Sequence, residues 1–203
     1  MNNLKKTEQE IFWENDFGNK YVKRSYKSDR IFTIGKNLAS NKVLINEALE
    51  LGANIGLNLD AIKRIYPKVK TYGVEINKLA FSIGKKKHNY YHKPILKFKS
   101  RKKYDLVFSA GVLIHQNPKH LNAFYNKLYS LSKKYIYISE YFNPTPIMVK
   151  YRKNKNKLFK RDFAKELWNK FPELKLLDYG FHWKEDPELE NNGDNSNWFL
   201  FQK

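Results

Sequence analysis

Hydrophobic and polar positions along this chain fall into blocks whose period keeps changing. Residues 1–40 read as helical and partly amphipathic, with Phe12, Trp13, Phe17, Tyr21 and Tyr26 unevenly spaced. Lys42–Leu51 is an amphipathic lead-in running into a buried strand, and Gly56–Tyr66 has a helical period. Ile55, Leu59, Ile62 and Tyr66 share one face of that helix, and Pro67 stops it. A second strand is expected over Thr71–Ile76, a helix over Lys78–Lys87 and a short third strand over Pro94–Phe98. "YDLVFSAGVLI" holds the fourth strand. Pro118–Leu131 follows as a helix with Leu121, Phe124, Tyr125 and Leu128 inward, and "KYIYISEYF" is the fifth strand. "NPTP" then breaks the chain, Tyr151–Lys160 reads as a charged excursion, and Asp162 can cap a helix reaching Phe171. "ELKLLDYGFHW" and "NWFLFQK" are the last strands, joined by a polar loop. Alternating strands and helices that end on two successive strands predict a doubly wound α/β sheet with an antiparallel end.

Length and composition narrow the function classes. At 203 residues the chain suits one domain. It has no run of apolar residues long enough to span a membrane, and its first residues lack the apolar core of a secretory signal, so a cytoplasmic protein is expected. With no cysteine, disulfides and thiolate metal sites are excluded. The formal charge of +19 invites a nucleic-acid reading, but 33 of the 39 basic residues are lysine. Lysine and asparagine codons are A/T-rich, so genome bias can supply such a composition, and a reader of phosphates and bases would use more arginine. The charge still favours anionic partners.

The candidate chemistry sits in Ala48–Asn77, where two apolar runs each end in an acid, Glu50 and Glu75, beside a glycine turn. A doubly wound sheet binds ligands at such carboxyl ends. A dinucleotide fingerprint would need glycines at 52, 54 and 57, but 54 is Asn and 57 is Leu. The spacing of Glu50, Gly52 and Gly56 instead resembles motif I of class I S-adenosylmethionine (SAM)-dependent methyltransferases, with Asn54 replacing the middle glycine. SAM has no pyrophosphate to cradle, glycines allow close backbone approach, and a carboxylate can accept both ribose hydroxyls.

Longer strings, "TEQEIFWENDFGNKYVKR", "LELGANIGLNL", "GVEIN", "GVLIHQNP", "EYFNPTP" and "KLFKRDFA…FPELKLLDYGF", resemble the pseudaminic acid biosynthesis-associated methylase family over nearly the whole chain. The resemblance implies a bacterial enzyme with a Rossmann-like class I methyltransferase fold, a seven-stranded and mostly parallel sheet whose last strand is antiparallel. It implies SAM as cofactor and S-adenosylhomocysteine (SAH) as product. The acceptor would be an anionic small molecule, a nonulosonic (sialic-acid-like) sugar or its nucleotide-activated form. Residues 1–40 would form a helical lid on a methyltransferase domain spanning 41–203. Glu75 would hold the ribose and Glu50 the amino-acid end, with Ala53, Asn54, Ile76, Ser109, Ala110 and Gly111 also against the cofactor, and Tyr21 and Arg24 reaching it from the lid. The acid that many class I enzymes place after strand three for the adenine amine has no counterpart here; Ser100 or a backbone amide could replace it.

Single residues carry rival readings. His115 follows the fourth strand, where it could take a proton from an acceptor or bind it, or simply hydrogen-bond backbone at a helix start. Glu140 could orient the acceptor, act as the base, or pair with one of the many lysines. Tyr141, Asn143, Tyr151 and Arg152 are the expected acceptor contacts, on a segment whose two prolines should fold it over the sheet edge as a lid beside His115. "NPTP" superficially echoes the N-P-P-aromatic motif of nucleic-acid amino-methyltransferases but follows the wrong strand. His88 and His92 have helical spacing with no carboxylate nearby in sequence, which argues against a metal site. An RNA or DNA methyltransferase and a non-catalytic SAM-binding protein are the alternatives.

Overall fold

A computed structural model describes residues 6–25, 33–187 and 195–203. Tyr26 and part of the polar loop before the last strand lie outside them. The helices are α1 (Glu8–Glu14), α2 (Asp16–Ser25), α3 (Thr33–Ser40), α4 (Leu57–Ile65), α5 (Lys78–Gly84), α6 (Leu121–Leu131) and α7 (Phe163–Lys170). The strands are β1 (Glu47–Leu51), β2 (Lys70–Glu75), β3 (Asn89–His92), β4 (Tyr104–Ala110), β5 (Ser132–Glu140), β6 (Ile147–Tyr151), β7 (Asn154–Lys160), β8 (Lys175–His182) and β9 (Ser196–Gln202). Seven strands form one sheet in the order β3-β2-β1-β4-β5-β9-β8, parallel from β3 to β5, with β9 antiparallel to both β5 and β8.

The central strands are apolar because helices cover both faces. Every residue of β4 from Tyr104 to Ser109 is buried, as are Ala48 to Leu51 of β1. One core layer gathers Leu49, Val107, Phe124, Leu128 and Ile136 under α6 and α7; the other gathers Leu38, Leu59, Ile62, Leu106 and Leu200 under α3 and α4. Asp162 caps α7, its carboxylate accepting from Lys165 N–H at 2.9 Å.

Two sequence expectations need correction. The third strand is Asn89–His92 rather than Pro94–Phe98. Pro94 has no N–H to give a ladder, whereas "NYYH" has the aromatic bulk a pleated surface favours. Ile95–Lys97 tightens into a 3-10 turn instead, which puts Ile95 and Leu96 on a cleft wall. Nor is Tyr151–Lys160 a solvated excursion. β6 and β7 pair as an antiparallel hairpin outside the main sheet, with Leu158 buried. Arg152 and Lys153 turn it with φ of 45° and 70°, the left-handed pair of a two-residue hairpin turn.

Candidate functional site

At the carboxyl ends of β1, β2 and β4 lies a cleft of about 1070 Å³, open mouth included, roofed by α1 and α2. Its floor is the turn after β1. Gly52 and Gly56 adopt φ of 84° and 92°, open to glycine at no cost, and a Cβ on Gly52 would meet Val112 at 2.7 Å. Asn54 takes φ 48°, which asparagine tolerates better than most residues, and its Nδ2 donates to Ser25 Oγ at 2.9 Å. The non-glycine in the motif therefore ties the turn to the end of α2. The turn's N–H groups are spent internally: Gly52 and Ala53 donate to Val74 O, Asn54 to Glu75 Oε2 and Gly56 to Ala53 O. None of these four is left to cradle a pyrophosphate.

Glu75 ends β2 with each oxygen taking one backbone N–H, from Asn54 at 2.8 Å and Asn77 at 2.7 Å. Burial raises its pKa against the pull of those donors. A carboxylate oxygen accepts more than one hydrogen bond, so both can still receive a ligand hydroxyl. Glu50 is buried at the end of β1 and accepts from Asn58 Nδ2 at 2.7 Å. Asn77, which carried no motif signal, closes the roof. Its Oδ1 caps α5, and its Nδ2 donates to Trp13 O, Glu14 O and Asn19 Oδ1 at 3.1, 3.2 and 2.9 Å.

The wall after β4 depends on Glu140. Its carboxylate accepts from the N–H groups of Val112, Leu113 and Ile114 and from Ser109 Oγ. Burial pushes it up to about 7 in spite of those donors. Glu140 and Ser109 thus set the loop from behind and are absent from the cleft lining; the expectation that Glu140 faces the ligands gives way to a loop anchor. Gly111 has φ 67° and open space where a Cβ would project.

His115 is buried, 4.6 Å from the Trp13 ring and 4.9 Å from Tyr151 between centroids. A carbonyl can only accept, so the 2.5 Å contact of His115 Nδ1 with Lys157 O places the proton on Nδ1 and the lone pair on Nε2. Burial draws its pKa down to about 4, so the ring is neutral at physiological pH.

Of the residues marked in the sequence, Tyr21, Glu50, Gly52, Ala53, Asn54, Glu75, Ile76, Ala110, Gly111 and His115 line the cleft. Gly56 lies beneath the turn, where a Cβ would meet His88 at 2.8 Å and Tyr90 at 2.9 Å. Arg24 sits outside, 5.5 Å from the Tyr21 ring, and Arg152 lies 6.0 Å from the Tyr151 ring. Asn143 spends its amide on Thr145 O at 2.6 Å, and Tyr141 borders a separate small pocket. Ser100 bonds within its own turn to Lys102, away from the cleft. Gln9, Asn58, Ile95 and Leu96 line the cleft without a sequence signal, because only folding brings their elements to it.

No protein-family model and no curated protein matches this chain. Solved structures match it at low identity. Magnesium protoporphyrin IX methyltransferase from Synechocystis PCC 6803 with bound SAM aligns with a TM-score of 0.70 at 12% identity, covering 98% of this chain and 99% of that one. Burkholderia thailandensis 1,6-didemethyltoxoflavin-N1-methyltransferase, solved with 1,6-didemethyltoxoflavin and SAH, gives 0.72 at 14%, covering 95% and 88%. The plantazolicin methyltransferase BpumL with SAH gives 0.63 at 15%, covering 96% and 94%. At such identities the likeness establishes the fold, the Rossmann-like fold of class I methyltransferases.

Proposed function

We propose that the protein is a SAM-dependent methyltransferase acting on a small molecule. One observation carries this reading. In a chain of formal charge +19, the cleft lining among the described residues contains Glu10, Glu50 and Glu75 and neither lysine nor arginine. Such a wall attracts a cation and repels polyphosphate. SAM is cationic at its sulfonium and amine, and the neighbours with this fold include SAM- and SAH-bound enzymes.

The chain's own residues fit that ligand. Glu75 has acceptor capacity left for the ribose diol, and Ile76, Ile95 and Leu96 offer apolar walls for the adenine ring. Glu50 and the backbone at Ala110–Gly111 border the amino-acid end, and Arg24 stands outside the roof for its carboxylate. When bound, SAM supplies the methyl group: an acceptor lone pair forms the bond to carbon as the carbon–sulfur pair passes to sulfur, leaving SAH. The protein contributes position and exclusion of water. Neutral His115, with its lone pair on Nε2, is the candidate to receive the acceptor's proton.

The acceptor we propose is a nonulosonic sugar or its nucleotide-activated form. The family resemblance supports it, and so do Arg24 and Arg152, which flank the aromatic rim of Tyr21 and Tyr151 as two cations for a carboxylate or phosphate. Calorimetry with SAM and SAH tests the cofactor: binding in the micromolar range is expected, and none at millimolar ligand overturns the reading. Mass spectrometry of cell-surface sugars, with and without the gene, tests the acceptor. The expected difference is one methylene, and identical spectra count against the sugar.

A further inference from the structure

The cleft wall opposite the glycine turn is built by α1 and His115, with the β6–β7 hairpin packed behind them, and it has polar atoms that the cofactor reading leaves unused. Gln9 and Trp13 stand four residues apart on α1 and so share a face. Gln9 is 3% exposed; its Nε2 donates to Asn156 O at 3.0 Å, and its Oε1 has no hydrogen-bond partner among the described residues. Trp13 Nε1 is likewise a buried donor without an acceptor there. Beside Trp13, His115 keeps its Nε2 lone pair because Nδ1–H is given to Lys157 O.

Asn156 and Lys157 are consecutive. In a regular strand consecutive carbonyls point to opposite sides. Asn156 breaks that alternation with φ 57°, a left-handed conformation that asparagine, as at Asn54, tolerates better than most residues. One left-handed residue thus lets two adjacent carbonyls orient both the Gln9 amide and the His115 imidazole. The Lys157 side chain, buried and ion-paired with Glu8 of α1, ties the same point of β7 to the roof.

We propose that Gln9, Trp13 and His115 form the acceptor subsite, and that it receives a hydroxyl group carried on a ring with an apolar face. This rests on the methyltransferase reading above. A hydroxyl can give its proton to Gln9 Oε1 or His115 Nε2 while accepting from Trp13 Nε1–H. A carboxylate has no proton to give, and an ammonium has no lone pair to offer. A neutral amine has a single lone pair, which bond formation consumes. A hydroxyl oxygen has two, so one can face Trp13 while the other attacks. As the oxygen is methylated its O–H bond breaks and the proton passes to His115 Nε2, then to water. The Trp13 ring supplies the apolar wall, backed by Phe17 at 5.4 Å and, beyond it, by Tyr151 at 5.7 Å from Phe17. Both orphaned atoms are shielded from solvent, so the subsite requires the Trp13 ring and the Gln9 side chain to turn toward the cleft as the ligand enters, the new contacts replacing the bond to Asn156 O. A phenol and the C–H face of a pyranose share this chemistry.

Ligand-observed NMR titrations of the SAH-saturated protein decide between the sources. Phenol with its methyl ether anisole forms one arm; methyl β-galactopyranoside with its fully O-methylated derivative forms the other. In at least one arm the hydroxyl compound should bind about fivefold or more tightly than its ether, and that arm identifies the source. Gln9→Met removes the acceptor and Trp13→Phe the donor while keeping their volume and aromatic wall. Each should cut the preference to about twofold or less while SAH affinity stays within about twofold of wild type. No preference in either arm, or a preference that survives both substitutions, overturns the subsite. Absence of SAH binding to the wild type sinks the methyltransferase reading instead, and the hydroxyl preference is then read on the protein alone.

Discussion

Two concavities lie at opposite ends of the same parallel strands and have opposite chemistry. Among the described residues, the cleft at the carboxyl ends of β1 and β2 is lined by three glutamates and neither lysine nor arginine. The groove near the amino ends of β2 and β3, about 780 Å³ with its open mouth, is lined by Lys63, Lys68, Lys70, Lys85, Lys86 and Lys87 and, among the described residues, by no carboxylate. Roughly five strand residues separate the two ends, about 17 Å. That exceeds the screening length of about 8 Å at physiological salt, so each concavity keeps its own field. The formal charge of +19 describes neither of them. The groove's lysines stand where water solvates them, whereas the cleft's acids are held in place by backbone N–H groups and an asparagine amide.

The sharpest way to break this comparison is to give the cleft the groove's chemistry. Glu75→Lys should weaken SAM binding at least about a hundredfold, a loss of about 2.7 kcal/mol, by calorimetry. Retained affinity would show that the ribose ligand lies elsewhere.

The next effect is in pH. His115 acts as a base only when neutral, and its folded pKa lies below the ordinary histidine value, near 4. Lowering the pH from 7 to 5.5 therefore leaves His115 in the active form, and its own protonation should slow the rate only as pH approaches 4. Any limb near 7 belongs to Glu140, the loop anchor pushed up to about 7, and should be lost in Glu140→Gln. A base at the ordinary value of about 6.5 would keep about a tenth of its activity at pH 5.5. An acid limb near 6.5 that persists in Glu140→Gln removes His115 from that role.

The groove is tested by replacing Lys85, Lys86 and Lys87 with alanine. The salt dependence of non-specific duplex DNA binding should drop by roughly two to three in log–log slope, with SAM affinity unchanged. A parallel loss of SAM affinity would mean that the two ends are coupled. The smallest effect is expected from Arg152→Ala, which touches only the rim. The acceptor's KM should rise about threefold with SAM affinity unaltered, and wild-type kinetics at limiting acceptor would place the anion elsewhere.

Much of the fold is legible in the sequence because the signals are local. The two-residue and helical periods, Pro67 after α4, Asp162 before α7 and the spacing of Glu50, Gly52, Gly56 and Glu75 each depend on neighbours a few positions apart. The misread third strand shows the limit of apolar content as a guide. "PILKF" is more apolar than "NYYH", yet a proline at its head and the open edge of β2 decided the pairing. The hairpin was missed because its turn uses Arg152 and Lys153 where a glycine or asparagine would have announced it.

What the sequence determined by itself is the order of elements and the positions of two acids and a glycine turn at strand ends, since strand alternation and glycine's backbone freedom act along the chain. Only the tertiary structure decided what those acids and the histidine do. Glu140 became the anchor of three consecutive backbone N–H groups 26 to 28 residues away, and His115 received its tautomer from a carbonyl 42 residues downstream. Gln9 and Trp13 joined the site through contacts with Asn156 and Asn77 across 147 and 64 residues. A proton's position and a carboxylate's partner depend on which groups burial brings within hydrogen-bond distance, and no spacing along the chain encodes that.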